Sequence, residues 1–280
     1  MRRLGIVTGL VGFIALQPLA AQDYEVRKPA PSESHTIEFS SIGEDYFPSL
    51  QQLEAPKPGG EAAEEKLKAI KEAIGPKQEA DRTKRSRSRA IDAPTATKGF
   101  QGNRPDGVPN DNDLAINRNG TIVSVTNSRI SIFDTSGQRL ERHSLEAFAD
   151  TLDIGGNKYD PRVEYDPEAD RFVIAYLNGT LDTTSHIIMA FSASADPRDD
   201  WNLYSLPGDA VDNGSWSDFP AMALTRDEVF LTVNLLYNDS SWQAGFRQSV
   251  IWQLDKQAGY QGQDLTQTVY SGITYNGEPI

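Results

Sequence analysis

The sequence predicts an all-β fold built from repeated units of short strands, and two observations support this. Three segments follow one plan: an Asp-led short strand, a tight polar turn and a β-branched strand. They read DNDLAINRNGTIVSVTN from Asp111, DPRVEYDPEADRFVIAYLN from Asp160 and DFPAMALTRDEVFLTVN from Asp218. Asp113 and Asp160 are 47 positions apart (160 − 113), and Asp160 and Asp218 are 58 apart (218 − 160). A spacing of roughly 40–50 residues with loop insertions is typical of β-propeller blades.

Alternating apolar residues and Asn-Gly, Asp-Pro and Ser-Gly turns place the strands within each unit. A closed propeller has typically about 4–8 blades. About three and a half blades fit into residues 101–280, so the sequence predicts a partial propeller that needs further C-terminal blades to close its ring. The predicted strands lie near 113–117, 121–127 and 129–134, near 162–166, 171–177, 186–192 and 202–206, near 220–225, 228–235 and 247–254, and near 266–275.

Residues 1–21 have the pattern of a signal peptide. Arg2 and Arg3 precede an apolar run over 4–16, and the small pair Ala20 and Ala21 offers a cleavage site. The run is shorter than the roughly 20 residues that a spanning helix needs. We therefore expect a protein that is secreted or held at the cell surface, with no membrane span after signal removal.

The stretch 22–100 is rich in Pro, Ser and Lys and poor in large apolar residues, which predicts a low-complexity linker. One helix is predicted near 61–75, where small and apolar residues recur at helical spacing and Gly75 and Pro76 supply the stop. The sequence contains no cysteine, so disulfides and Cys-ligated zinc are excluded and the fold must depend on a buried core.

Acidic charge is concentrated in the repeat region. Residues 22–99 carry 14 acidic and 13 basic side chains, whereas residues 100–280 carry 26 acidic and 12 basic ones, a net charge of −14 (12 − 26). A field of this sign repels nucleic acid and favours divalent cations, cationic partners or neutral glycans. Solubility alone is an equally good explanation of the charge.

Several segments together resemble a family of secreted bacterial β-propeller proteins of unknown function. They include NDNDLAINRNGTIVSVTNS, YDPRVEYDPEADRFVIAYLNG, FSASADPRDDWNLYSLPG and WSDFPAMALTRDEVFLTVN, and they cover most of residues 105–262. Members often carry a C-terminal sorting domain for type IX secretion, which has no counterpart in this sequence. The resemblance implies a propeller fold and no particular activity.

Asp113, Asp160 and Asp218 each open the first strand of a unit, and such strands line the central channel of a propeller. Three roles are open for them: capping strand starts through backbone amides, binding calcium or a glycan, or catalysis. The segments at 160 and 218 also look like the second-blade and third-blade patterns of five-bladed arabinanase-type and xylosidase-type glycoside hydrolases. Those enzymes carry a Glu as general acid where this chain has Asp218.

Alternating carboxylates suggest Ca²⁺, which prefers oxygen ligands. The candidates are Asp111 with Asp113, and Asp166 with Glu168 and Asp170. Water-facing turn acids are the alternative explanation, because neither segment has the full spacing of an EF-hand loop.

Trp216 and Trp242 lie in polar loops, where an exposed indole ring stacks on a sugar or covers a gap between blades. The sequence favours a non-catalytic binding module for a glycan or a surface protein. The alternative is a propeller glycoside hydrolase that uses Asp113, Asp160 and Asp218.

Overall fold

The computed structural model describes residues 22–43, 99–103, 109–238, 245–275 and 278–279. The fold is all-β, as the sequence predicts, and its strands form three antiparallel sheets. In chain order the strands are β1 (Gln22–Arg27), β2 (His35–Glu38), β3 (Asp113–Ile116), β4 (Ile122–Thr126), β5 (Arg129–Phe133), β6 (Arg139–Ser144), β7 (Lys158–Asp166), β8 (Arg171–Asn178), β9 (His186–Ser192), β10 (Asp200–Pro207), β11 (Ser215–Leu224), β12 (Glu228–Tyr237), β13 (Phe246–Asp255), β14 (Gln267–Tyr275) and β15 (Glu278–Pro279). The short helices are Phe39–Ser41, Leu145–Phe148, Asp150–Leu152 and Lys256–Gln261.

Each repeat unit forms one sheet in which strands that follow each other in the chain pair side by side. Sheet one has the order β3-β4-β5-β6, sheet two contains β7 to β10, and sheet three contains β11 to β14 with β15 at β14. The Asn-Gly turn between β3 and β4 forms because the Asn117 Oδ1 accepts from the amides of Asn119 and Thr121, and Gly120 adopts φ 84°. Sheet one also has a fourth strand, β6, which the sequence patterns did not predict.

The three sheets lie face to face, with sheet two in the middle. Strand β8 alternates between two cores: Val173, Ala175 and Leu177 face the core shared with sheet three, whereas Phe172 and Ile174 belong to the core shared with sheet one. This explains why the β8 segment is an almost continuous apolar run, since both of its faces are buried. The first strands are also neighbours, because β7 contacts both β3 and β11.

The N-terminal segment differs from the linker that the composition of 22–100 predicts. Strand β1 pairs with β14, and β2 pairs with β10, so two strands of this segment extend the outer edges of sheets three and two. An open sheet edge offers unpaired backbone donors and acceptors to any extended chain, whatever its composition. Phe39, which is fully buried, anchors the segment by edge contacts with the rings of His143 and Phe148.

The predicted signal peptide and the helix near 61–75 lie outside the described residues. None of the helices in the described ranges has the length and apolar character needed to cross a bilayer.

Candidate functional site

Two of the predicted acids lie at irregularities of the first strands. The pairing of β7 with β8 shifts register between Tyr159 and Arg162, around Asp160, and the pairing of β11 with β12 shifts after Asp218. Asp160 and Phe219 adopt the left-handed backbone conformation, with φ 51° and φ 55°. Bulges of this kind redirect side chains and occur often beside functional sites.

Asp111 completes a cluster with these two acids. It also has a positive φ of 38°, and its Oδ2 accepts a hydrogen bond of 2.5 Å from the Asn127 Nδ2. The Oδ1 of Asn127 in turn accepts from the backbone amide of Asp160 at 2.6 Å. The carboxyl groups of Asp111 and Asp160 interact as well, and this interaction contributes to the raised pKa of Asp160.

Burial and mutual repulsion determine how the cluster titrates. Burial raises the pKa of Asp160 to about 7, and the negative charges of Asp111 and Asp218 and the side-chain interaction with Asp111 add to it, against the opposing charge of Arg162. Burial is also the main cause that raises the pKa of Asp218, and the charge of Asp111 adds to it. Asp160 therefore changes its protonation near neutral pH.

Asp113 has a structural role instead. Its Oδ1 accepts from the amide of the next residue, Leu114, at 2.9 Å, and its Oδ2 accepts from the Val163 amide of β7 at 3.1 Å. The carboxylate thus joins the first strands of sheets one and two. Of the three roles open to Asp113, the structure supports the capping of backbone amides, and Asp111 takes its place beside Asp160 and Asp218.

Of the three carboxylates suggested for calcium in the turn after β7, those of Asp166 and Asp170 are bonded to protein donors. Asp166 Oδ1 accepts from the amides of Glu168 and Ala169, and its Oδ2 receives the Lys256 Nζ at 2.8 Å and the Tyr260 hydroxyl at 2.9 Å. The Oδ1 of Asp170 accepts from the Tyr165 hydroxyl at 2.6 Å. Within the described ranges, no three acidic or His side chains come together in a group that would hold a metal ion.

A cavity of about 510 Å³ opens beside Trp216, one of the two indoles selected from the sequence. The ring is half-buried, and its Nε1 donates to the Tyr237 carbonyl at 3.2 Å. Trp242 lies outside the described residues. The cavity wall also contains Gly155, Gly156, Asn157, Tyr159, Gly179, Thr180, Leu181 and Thr184.

Buried polar contacts hold the cavity wall in shape. The Lys158 Nζ donates to the carbonyls of Ile154 and Gly156 and pairs with Glu146 at 3.0 Å. Gly179 has φ 69°, and a Cβ there would lie 2.3 Å from the Thr184 carbonyl oxygen, so only glycine fits at this position.

Tyr159 connects the cavity with the acid cluster. Its ring lines the cavity, and its hydroxyl donates to the carbonyls of Gly179 at 3.0 Å and Ser217 at 3.3 Å. Burial, followed by the charges of Asp218 and Asp160, raises the pKa of Tyr159 far above its ordinary value, so the hydroxyl stays a neutral donor. Sequence reasoning missed Tyr159, which precedes the selected Asp160, and it selected Asp111 only as a calcium ligand beside Asp113.

No protein-family model, curated protein or solved structure matches this chain.

Proposed function

We propose that this protein is a secreted or cell-surface β-propeller that binds a glycan without catalysis through the cavity beside Trp216. Each of the three units contributes four consecutive antiparallel strands to one sheet, and the first strands of the units are neighbours. This arrangement supports the propeller part of the proposal. The expected leader over 1–21 and the resemblance to secreted propellers motivate the location.

The observation that carries the binding function is the half-buried indole of Trp216 at a preformed, mainly apolar cavity. An indole whose N–H is already bonded to a carbonyl presents its ring faces, which suit the apolar face of a sugar. The volume of about 510 Å³ lies within the range of roughly 300–1,000 Å³ for small-molecule sites. A protein partner would need a larger surface, about 800 Å² on each side.

Trp216→Ala is expected to weaken glycan binding by about 30-fold, because the loss of one stacked aromatic ring costs about 2 kcal/mol. Trp216→Tyr should retain part of the affinity. The measurement is titration calorimetry of the full chain with the best ligand from a panel of neutral hexasaccharides. Tyr24→Ala is the matched control, since Tyr24 is an aromatic residue on β1, 56% exposed and outside the cavity. Equal affinity of wild type and Trp216→Ala would contradict the proposal.

Glycoside hydrolysis is the second candidate, and the acid cluster favours it. A carboxyl group with a pKa of about 7, such as Asp160, suits a general acid at neutral pH, and hydrolysis needs two carboxyl groups with different protonation states. In this version Asp111, rather than Asp113, accompanies Asp160 and Asp218.

If the chain cleaves a neutral oligosaccharide, Asp160→Asn and Asp218→Asn are each expected to lower the rate at least 100-fold, in line with the loss of acid–base catalysis. Asp200→Asn, which changes an exposed carboxylate of β10, should leave the rate unchanged. Release of reducing ends is the measurement. If the wild-type protein binds a glycan but releases no reducing ends, the non-catalytic binding module remains the proposed function.

A further inference from the structure

We infer that the glycan site continues into a second cavity in which Arg247 binds a carboxylate, so that the ligand is an acidic oligosaccharide. This inference rests on the proposed function and specifies its ligand. The second cavity, about 450 Å³ in volume, lies at the same end of sheet three as Trp216 and is lined by Asn213, Tyr237, Phe246, Arg247, Gln248, Gly272, Ile273 and Thr274.

Two contacts hold the Arg247 guanidinium in this cavity. Its carbon lies 3.8 Å from the ring centroid of Tyr237, which is a cation–π contact, and its Nη1 donates to the Asn213 carbonyl at 2.8 Å. A guanidinium has five N–H donors, so most of them remain available. No carboxylate in the described part of the chain lies within ion-pair distance of Arg247.

Among the described residues, the lack of an acidic neighbour at Arg247 contrasts with the local charge. Residues 100–280 contain 26 acidic side chains and only 12 basic ones, so a basic group there has many carboxylates available. The Arg247 guanidinium instead lies over the Tyr237 ring, and the residue lines the second cavity. A planar guanidinium binds a carboxylate through two parallel hydrogen bonds, and this geometry distinguishes an acidic sugar from a neutral one.

Residues 213–216 run from one cavity to the other, since Asn213 lines the second cavity and Trp216 lines the first. Asp209 accepts from the amides of Asn213 at 3.1 Å and Gly214 at 2.7 Å, which holds the loop between the cavities. Tyr237 lines the second cavity and contacts residues of both, since its carbonyl accepts from the Trp216 Nε1 while the Arg247 guanidinium lies over its ring. One chain of sugars is therefore able to place a ring on Trp216 and a carboxylate at Arg247.

Exposed aromatic area in the second cavity supports a carbohydrate rather than a free anion. Phe246 is 48% exposed and Tyr237 is 44% exposed, and both line the cavity next to Arg247. A simple anion needs only the guanidinium, whereas a sugar acid also covers apolar rings.

The test uses two matched pairs of probes and the full chain. The first pair is hexagalacturonate and its fully methyl-esterified form, and the second is a glucuronate-containing xylo-hexasaccharide and its carboxyl-reduced form. Wild type is expected to bind the acidic member of one pair about tenfold more tightly than the neutral member. Arg247→Gln should remove this preference and Arg247→Lys should restore it only in part, because an ammonium lacks the bidentate fork. Calorimetry gives each affinity.

The outcomes separate the two proposals. Equal binding of acidic and neutral members, with a loss of binding in Trp216→Ala, overturns the carboxylate site and leaves the glycan-binding function in place. An acidic preference that survives in Arg247→Gln also overturns this inference. Failure of wild type to bind any of the four probes or any neutral hexasaccharide overturns both proposals. Thermal melting of Arg247→Gln, expected to be near wild type, confirms that the variant is folded.

Discussion

Replacing Lys256 by Met is expected to lower the free energy of unfolding by about 3–5 kcal/mol, because it leaves a buried carboxylate without its counter-charge. The side chains of Lys256 and Asp166 are both almost fully buried, and their charged atoms are 2.8 Å apart. Burial disfavours the Asp166 carboxylate, but hydrogen bonds from Lys256 and Tyr260 and two backbone amides outweigh it and lower its pKa. The pair connects the turn after β7 with the helix Lys256–Gln261, and hence sheet two with sheet three.

Urea unfolding of the full chain at neutral pH measures this effect. Lys28→Met is the control, because it makes the same substitution at an exposed position. The double variant Lys256→Met with Asp166→Leu should recover much of the lost stability, because removing both charges removes the unpaired one. A loss below about 1 kcal/mol for Lys256→Met would contradict the structural importance of this pair.

Asp160→Asn is expected to make the protein more stable at pH 8 by about 2 kcal/mol and to have little effect at pH 4. The folded-state pKa of Asp160 is raised from 3.8 to about 7, so the folded protein holds a proton that the unfolded chain releases. The stability from this proton is complete below about pH 4 and is lost as the pH rises towards 7. Asparagine resembles the protonated acid and keeps its stability throughout.

The measurement is the free energy of unfolding of both proteins between pH 4 and pH 8. Asp200→Asn, an exposed acid-to-amide change on β10, should follow wild type across this range. A wild-type stability that does not fall between pH 4 and pH 7 relative to Asp160→Asn would show that folding does not raise the pKa of Asp160. If Asp160→Asn no longer changes the free energy of unfolding in a protein that already carries Asp111→Asn, the two acids act together.

The sequence by itself determined the all-β class and most strands of the three repeat units. These features are local: alternating apolar residues define strands such as β12, and side-chain bonds close turns such as that of Asn117 within four residues. Trp216 was selected from the sequence as an aromatic residue in a polar loop, but the structure places it in strand β11, where it pairs with Leu236 of β12. Asp113, Asp160 and Asp218 were also visible in the sequence as acids near the starts of the first strands.

Only the tertiary structure decided which of these residues act together, because their partners lie far away in the chain. The Asp113 carboxylate accepts from the Val163 amide, whereas Asp111 interacts with Asp160. Left-handed backbone conformations and bulges set the directions of these side chains, and no sequence periodicity encodes such conformations. Asp166 binds Lys256, 90 positions away (256 − 166). Strands β1 and β2 form because sheet edges more than 160 residues away offer backbone partners, and backbone hydrogen bonding leaves little trace in side-chain composition.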